Sequence, residues 1–290
     1  MKTYFVSSDI HGFFKEWQNA LKDAGFDINN NEHILILLGD LFDRGKEPWE
    51  IYTFIKSLPN ERTILIKGNH EYLLLELVKR RFPFHNDYSN GTYYTLISLY
   101  KDPVLEQRKW IDDNLGKYDR DELFDKSREI IRKTESELYC NEKIKEIVEW
   151  INSPRWKNYY ELGKYIFVHS FIPLVGITGV YSDEKYGKYY PGWRDETSDA
   201  MWEAATWGCP YRHYLLGHFK EEEEKGKILV CGHWHTSDFY NNLLYENEPE
   251  KILDIKKSNP IFVSDKYPGL IGIDACTALT KKVNVLVLKI

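Results

Sequence analysis

Carboxylates, imidazoles and one amide recur along the chain in a pattern suited to holding cations. They are Asp9 and His11, Asp40, Asn69, His169, and His233 with His235. Beside them stand Asp43-Arg44 and His70. Oxygen and nitrogen donors without thiolates suit Mn, Fe, Zn or similar divalent ions. Seven such donors are too many for one ion and suit two ions that share a carboxylate. Two ions about 3.5–4 Å apart can clamp the attacking and leaving oxygens of a phosphoryl displacement. The Arg44 guanidinium adds a planar fork for an anion next to the cations.

Singly, each donor has an ordinary structural explanation. Asp-x-His is commonly a loop with a helix cap, His169 could be a hydrogen-bonded core histidine, and Asn69 a turn residue. His233 and His235 alternate along an extended segment, so a strand would point both to one side. What sets the group apart is placement, because each member falls at the end of a predicted strand.

Those strands follow from short apolar runs bounded by glycine and polar residues. Thr3 to Ser8 leads into Asp9-Ile10-His11-Gly12, and Phe13 to Gly25 reads as a helix. His33 to Leu38 leads into Gly39-Asp40-Leu41-Phe42-Asp43-Arg44-Gly45, followed by a helix over Pro48 to Leu58. Arg62 to Lys67 leads into Gly68-Asn69-His70-Glu71, followed by a helix from Tyr72 to about Arg81. Three strand–loop–helix units predict a parallel sheet covered on both faces, with its ligand crevice at the C-terminal strand ends. Further strands are predicted at Lys164 to Val168, ending at His169-Ser170, and at Ile228 to Cys231, ending at Gly232-His233-Trp234-His235-Thr236. Gly192 to Gly208 reads as partly helical. Ile261 to Ser264, Leu270 to Asp274 and Val283 to Lys289 read as antiparallel strands extending or facing the first sheet. The expected fold class is α/β: two mixed sheets packed between helices, in one domain over 1–290. Residues 82–160, rich in Pro, Tyr and Trp, read as a mostly helical insertion or cap, with helical patterns over Val104 to Leu115 and Asp121 to Ile151.

The chain has 290 residues, enough for one large α/β domain. A net charge of -6 argues against a nucleic-acid partner, which needs a broad basic face. No apolar run is long enough to span a bilayer, and the start lacks a signal-peptide pattern. The scattered Cys140, Cys209, Cys231 and Cys276 read as reduced thiols of a cytoplasmic protein. The run Lys220 to Lys227, with Glu221 to Glu224, reads as a solvated helix end or loop. With 21 Tyr and 9 Trp, aromatic residues should line a cleft or an interface.

The motifs Asp9-Ile10-His11-Gly12, Gly39 to Gly45, Gly68-Asn69-His70-Glu71, His169 and Gly232-His233-Trp234-His235 resemble those of the calcineurin-like metallophosphoesterases. Asp43-Arg44-Gly45 and Asn69-His70-Glu71 are similar to the phosphoprotein phosphatase branch, which includes bacterial serine/threonine phosphatases and symmetrical diadenosine tetraphosphatases. Asn90-Gly91-Thr92 with Thr95-Leu96 also resembles a bacterial segment of that branch. The resemblance implies a first metal on Asp9, His11, Asp40 and His235. It implies a second on Asn69, His169 and His233, with Asp40 bridging. Arg44 would grip phosphate oxygens, with Asn69 and His70 also contacting substrate. His70 would protonate the leaving oxygen and Asp43 would orient it. A hydroxide bridging the two metals, manganese first and Fe, Zn, Ni or Mg as alternatives, would attack phosphorus.

Two features depart from that branch. Its fifth motif commonly carries one histidine, whereas this chain has two, as phosphodiesterases of the superfamily do. Its second phosphate-binding arginine has no clear counterpart, with Arg194 and Arg212 as candidates. The expected function is a phosphomonoesterase acting on phosphoserine/phosphothreonine proteins or small phosphoesters. The alternative is a nucleotide hydrolase such as a dinucleoside tetraphosphatase, which the aromatic residues of the insertion favour. A catalytically silent metal-binding regulator is a third reading. The oligomeric state is not encoded in any of these features.

Overall fold

The structure is a computed structural model and describes residues 1–179, 182–220 and 222–290. Its first part alternates strands and helices: β1 (Thr3–Ser7), α1 (Phe14–Asp23), β2 (His33–Leu37), α2 (Pro48–Ser57), β3 (Thr63–Ile66) and α3 (Asn69–Arg80). Five helices follow: α4 (His85–Ser89), α5 (Thr92–Leu99), α6 (Pro103–Asn114), α7 (Arg120–Leu138) and α8 (Glu142–Ile151). Next come β4 (Trp156–Lys157), β5 (Tyr159–Leu162), β6 (Tyr165–Val168), β7 (Leu174–Val175), β8 (Lys188–Tyr189), α9 (Asp199–Trp207) and α10 (Pro210–Leu215). The remainder is β9 (Ile228–His235), α11 (Thr236–Phe239), β10 (Leu270–Asp274), α12 (Thr277–Thr280) and β11 (Leu286–Lys289).

Two mixed sheets pack face to face. The first has the order β11-β1-β2-β3-β4 and the second β10-β9-β6-β5. In the first, β1, β2, β3 and β4 are parallel, with β11 antiparallel on the edge. In the second, β10, β9 and β6 are parallel and β5 is antiparallel. Alternate side chains divide between two cores, as a pleated strand requires. Val6, Ile34, Ile36, Phe167, Val230 and Ile273 meet between the sheets. Phe5, Leu35, Leu37 and Leu65 face outward, beneath α1, α2, α3, α5 and α8. Ile166, Val168, Leu229 and Leu270 do the same on the second sheet, against Trp193, Trp202 and Phe239. Burial on both faces is why these strands read as unbroken apolar runs.

Several elements differ from the sequence expectation. Helix α3 begins at Asn69, so the Asn-His-Glu motif forms its first turn and not the loop before it. Ile261 to Ser264 is not a strand, and only Phe262 bridges to Gly272. Leu270 to Asp274 is a parallel partner of β9 in the second sheet, while Leu286–Lys289 pairs antiparallel with β1. Edge pairing joins residues far apart in sequence, and local pattern does not carry it.

The Lys220 to Lys227 run is not simply solvated. Glu221 lies outside the described residues. Glu224 is 2% exposed and accepts from Arg194 Nη2 at 2.6 Å, Trp193 Nε1 at 2.8 Å and Tyr189 Oη at 2.7 Å. Arg194 also donates to Glu161, to which Lys227 is paired. Burial alone would raise the Glu224 pKa. The bonds from Arg194, Trp193 and Tyr189 outweigh it and hold the carboxyl below its ordinary value of 4.5. Among the described residues, no helix is long and apolar enough to cross a membrane.

Glu224→Gln should cost about 2 kcal/mol at neutral pH, the scale of a buried charge-assisted hydrogen bond. A depressed carboxyl stabilises above its unfolded value and loses that contribution as pH falls through the folded value. The difference between wild type and variant in urea unfolding should therefore shrink as pH is lowered below 4.5.

Candidate active site

Parallel strands deliver their C-terminal ends to one edge of each sheet. β1, β2 and β3 bring Asp9, Asp40 and Asn69 there, and β6 and β9 bring His169, His233 and His235. The loops after β1 and β2 are tied by backbone bonds, Asp9 N–H to Gly39 O at 3.1 Å, His11 N–H to Asp40 O at 2.9 Å and Gly12 N–H to Leu41 O at 2.8 Å. Gly39 has φ +87°, and a Cβ there would run into the Gly68 backbone. Asp9, His11, Asp40, Asp43, Arg44 and His233 all hold left-handed backbone with φ between 51° and 68°. Each such non-glycine residue costs roughly 1–2 kcal/mol and needs surrounding structure to hold it.

Two donor groups share Asp40. In one, ligand atoms of His11, Asp40 and His70 lie within 4.8 Å of one another, and in the other those of Asp40, His169 and His233. Asp9 Oδ1 lies 3.9 Å from His11 Nε2, and Asn69 Oδ1 lies 2.9 Å from His169 Nε2. The left-handed turn at His233 breaks the expected alternation. His233 joins the Asp40–His169 group, while the His235 ring is held by Asp274, Nδ1 to Oδ2 2.9 Å. Both histidines still line the same cleft.

Hydrogen bonds behind the rings decide which nitrogen faces inward. His11 Nδ1 lies 3.1 Å from Phe42 O and His169 Nδ1 2.6 Å from Leu38 O. A carbonyl only accepts, so both Nδ1 atoms carry a proton, which on the neutral His11 ring leaves Nε2 with its lone pair, 2.8 Å from Arg44 Nη1. Asp274 accepts from His235 Nδ1 in the same way, the arrangement usual behind metal-bound histidine. Burial, then the Arg44 and His70 charges, holds His11 well below its usual pKa. Burial and the neighbouring His169 act likewise on His233. Burial, then Asp274 and Asp40, raises Asp9 well above the usual carboxylate range. Inward lone pairs beside crowded, buried carboxylates fit divalent ions. Burial opposes a charge on His235, but bonds to Asp274 and Cys276 outweigh it and push its pKa up to about 11.

Asp43 and His70 form a second unit. His70 Nδ1 lies 2.6 Å from Asp43 Oδ2, which leaves Nε2 toward Asp40 and Arg44. Burial disfavours the His70 cation, yet Asp40 and Asp43 together raise its pKa. Arg44 reaches between the rings, with Nη1 2.8 Å from His11 Nε2 and Nη2 3.2 Å from His70 Nε2. Glu71, fully buried, accepts from the backbone N–H of Asp40, Leu41 and Gly68 at 2.8–2.9 Å.

A cleft of about 460 Å³ opens over these groups. Arg44 is the one Lys or Arg lining it among the described residues, and its far wall carries Trp207, Trp234, Ser89, Asn90 and Leu279. Arg194 and Arg212 do not reach it. The first is bound to Glu161 and Glu224, and the second lies 3.3 Å from Glu184. No aromatic residue from 82–160 lines the cleft among the described residues. Tyr93, Tyr139, Trp150 and Trp156 pack into the core against the first sheet instead. Trp193 is also buried away from it, whereas Trp207 forms part of the wall. Sequence reasoning missed Asp274, although it too ends a strand. It assigned no role to Glu71, Thr92 or Thr95.

Residues 2–237 match the profile of the calcineurin-like phosphoesterases. The symmetrical bis(5'-nucleosyl)-tetraphosphatase of Buchnera aphidicola subsp. Baizongia pistaciae is 39% identical over 77 residues, which cover 27% of this chain and 26% of that protein. Its namesake from Psychromonas ingrahamii is 40% identical over 77 residues, with the same coverage. The chain thus spans about a quarter of the length of these curated relatives. A protein serine/threonine phosphatase from Saccharomyces cerevisiae overlays all of this chain and 80% of its own, at 11% identity and a TM-score of 0.48.

Asp274→Asn tests the support behind His235. It should weaken Mn²⁺ binding about 10–100-fold by calorimetry, the usual effect of losing such a partner, with the melting temperature little changed.

Proposed function

The chain belongs to the calcineurin-like phosphoesterase family, and from that premise we propose that it is a two-metal phosphoester hydrolase acting on dinucleoside polyphosphates. The observation that carries the reading is the two donor groups sharing Asp40, His11–Asp40–His70 and Asp40–His169–His233, in a cleft also lined by Asp9, His235 and Arg44. The nucleotide substrate is suggested by the relatives named as symmetrical bis(5'-nucleosyl)-tetraphosphatases. Two indoles in the wall, Trp207 and Trp234, offer surfaces on which a base can stack.

Asp9, His11, Asp40 and His235 would hold one ion, and Asp40, Asn69, His169 and His233 the other. The mixed imidazole and carboxylate donor set suits manganese, iron or zinc. Two such ions would supply Lewis-acid charge that lowers the pKa of water and offsets charge on phosphoryl oxygens. Arg44 would turn its fork onto non-bridging phosphate oxygens. His70, steadied by Asp43 through Nδ1, would pass a proton from Nε2 to the leaving oxygen. Asn69 would also contact the bound phosphate.

A second reading keeps a phosphomonoester as substrate, either a phosphoserine/phosphothreonine protein or a small phosphoester. It draws on the single fixed cation, Arg44, which suits one phosphoryl group better than a chain of four.

Turnover of diadenosine tetraphosphate, p-nitrophenyl phosphate, bis-p-nitrophenyl phosphate and a phosphopeptide by the manganese-loaded protein separates these readings. Dinucleotide cleavage should exceed the rest. Monoester turnover without dinucleotide cleavage would transfer the assignment to the second reading. No turnover of any substrate would remove the hydrolase. Asp40→Asn should reduce turnover to background and weaken metal binding, and full activity with both ions retained would refute the shared-ligand role. Trp207→Ala should raise KM for the dinucleotide about tenfold, the scale of one lost stacking contact, and spare the phosphopeptide.

A further inference from the structure

Asp43 is fully buried and has no Lys or Arg partner among the described residues. Three donors meet its carboxylate. On Oδ2 they are His70 Nδ1 at 2.6 Å and Thr92 Oγ1 at 2.8 Å, and on Oδ1 Thr95 Oγ1 at 2.7 Å. Thr95 Oγ1 also accepts the Asp43 backbone N–H at 2.8 Å. Its hydroxyl thus ties both the main chain and the side chain of the same residue. A carboxylate free to rotate about Cβ–Cγ would lose its bond to His70. Two hydroxyls on opposite oxygens prevent that rotation and satisfy a buried charge with neutral dipoles.

Both hydroxyls come from the first turn of α5, within the helical segment that separates β3 from β4. Tyr93, Leu96 and Leu99 seat that helix in the core of the first sheet. The turn before it is closely fitted as well. Gly91 has φ +86°, and a Cβ there would lie 2.6 Å from Arg44 N, so only glycine allows this approach. Ser89 and Asn90, one turn earlier, line the cleft. One short stretch, residues 89–95, therefore touches the cleft wall, the Arg44 backbone and the Asp43 carboxylate.

We infer that Thr92 and Thr95 are positioning residues for the Asp43–His70 pair, so that α5 is a built-in part of the proton-donating machinery and not a detachable cover. The inference rests on the reading of His70 as the acid. Neither threonine touches substrate. They hold Asp43 so that it holds the ring whose Nε2 faces the leaving oxygen.

The test compares wild type, Thr92→Val with Thr95→Val, the corresponding double Ser variant, and His70→Asn as a control, all loaded with manganese or, for NMR, with diamagnetic Zn²⁺. Two readouts are taken. One is the downfield Nδ1 proton of His70, identified by its loss in His70→Asn. The other is kcat/KM for phenyl phosphate, a poor leaving group, beside p-nitrophenyl phosphate, a good one. The double Val variant should lose the downfield proton. It should also lose about 10–100-fold more on phenyl phosphate than on p-nitrophenyl phosphate, as removal of an orienting partner does. Metal content should be unchanged, and Ser at both positions should restore both readouts. A double Val variant that keeps the proton signal, or loses equally on both substrates, would overturn the positioning role. If His70→Asn itself shows no leaving-group dependence, the acid reading fails on its own, and the proton signal still decides whether the threonines orient the ring. Thr92→Val alone, which leaves the Thr95 tie to the Asp43 backbone intact, carries the same comparison should the double variant not fold.

Discussion

The carboxylate of Glu71 is the tie on which the rest of the site depends. It sits fully buried in the first turn of α3 and accepts three backbone N–H groups, from Asp40, Leu41 and Gly68. Two of these belong to the loop after β2 and one to the loop after β3. A single side chain thus fixes two strand ends relative to each other. The Asp40 carboxylate then accepts the His70 N–H at 3.0 Å, which closes the link from the other direction. Without that tie, the carboxylate common to both donor groups would have no fixed height above the amide and imidazoles beside it. Burial, then Asp40, raises the Glu71 pKa, against the pull of its three backbone bonds. The strand ends are therefore held at some electrostatic cost.

The same economy of space explains the backbone. Six site residues lie in left-handed conformation, which side chains other than glycine adopt at a cost. The two sheets and their three apolar cores supply the surrounding rigidity. Strained turns at strand ends let neighbouring residues, which would otherwise point to opposite faces, aim at one place. Asp9 and His11 on one loop, and Asp43 and Arg44 on another, show the result. Asp9 and His11 both line the cleft, whereas Arg44 lines it while Asp43 stands buried behind His70.

The helical segment after α3 enters this scheme at its beginning and not at its middle. Residues 89–95 reach the cleft and the Asp43–Arg44 turn, while α6 and α7 pack mainly on each other and leave Leu105, Leu115 and Phe124 exposed. Of its aromatic residues, Tyr93, Tyr139 and Trp150 serve the core, while Tyr94, Tyr118 and Phe124 are exposed. The aromatic character of the cleft comes from Trp207, at the end of α9, and Trp234, between two histidines of β9. In the proposed hydrolase, substrate selection and proton transfer would accordingly draw on different parts of the chain, which meet only in the folded molecule.

The strand-end places of the candidate donors were legible in the sequence. Strands buried on both faces give unbroken apolar runs such as Ile34 to Leu38, and the first polar residue after such a run marks where the sheet edge lies. The alternation of strands and helices through Arg80 was legible for the same local reason, as was the sandwich architecture. The partners of those residues were not. Glu71 and Asp40 are 31 residues apart, Thr92 and Asp43 are 49 apart, and Asp274 and His235 are 39 apart. None of these pairs has a local periodicity, because each exists only where two packed elements bring hydrogen-bonding groups into contact. Arg194 shows the same limit from the other side, since a guanidinium free in the sequence is committed to Glu224 and Glu161 in the fold. Local pattern decided which residues could do chemistry. Long-range packing decided which of them face one another, and in what orientation.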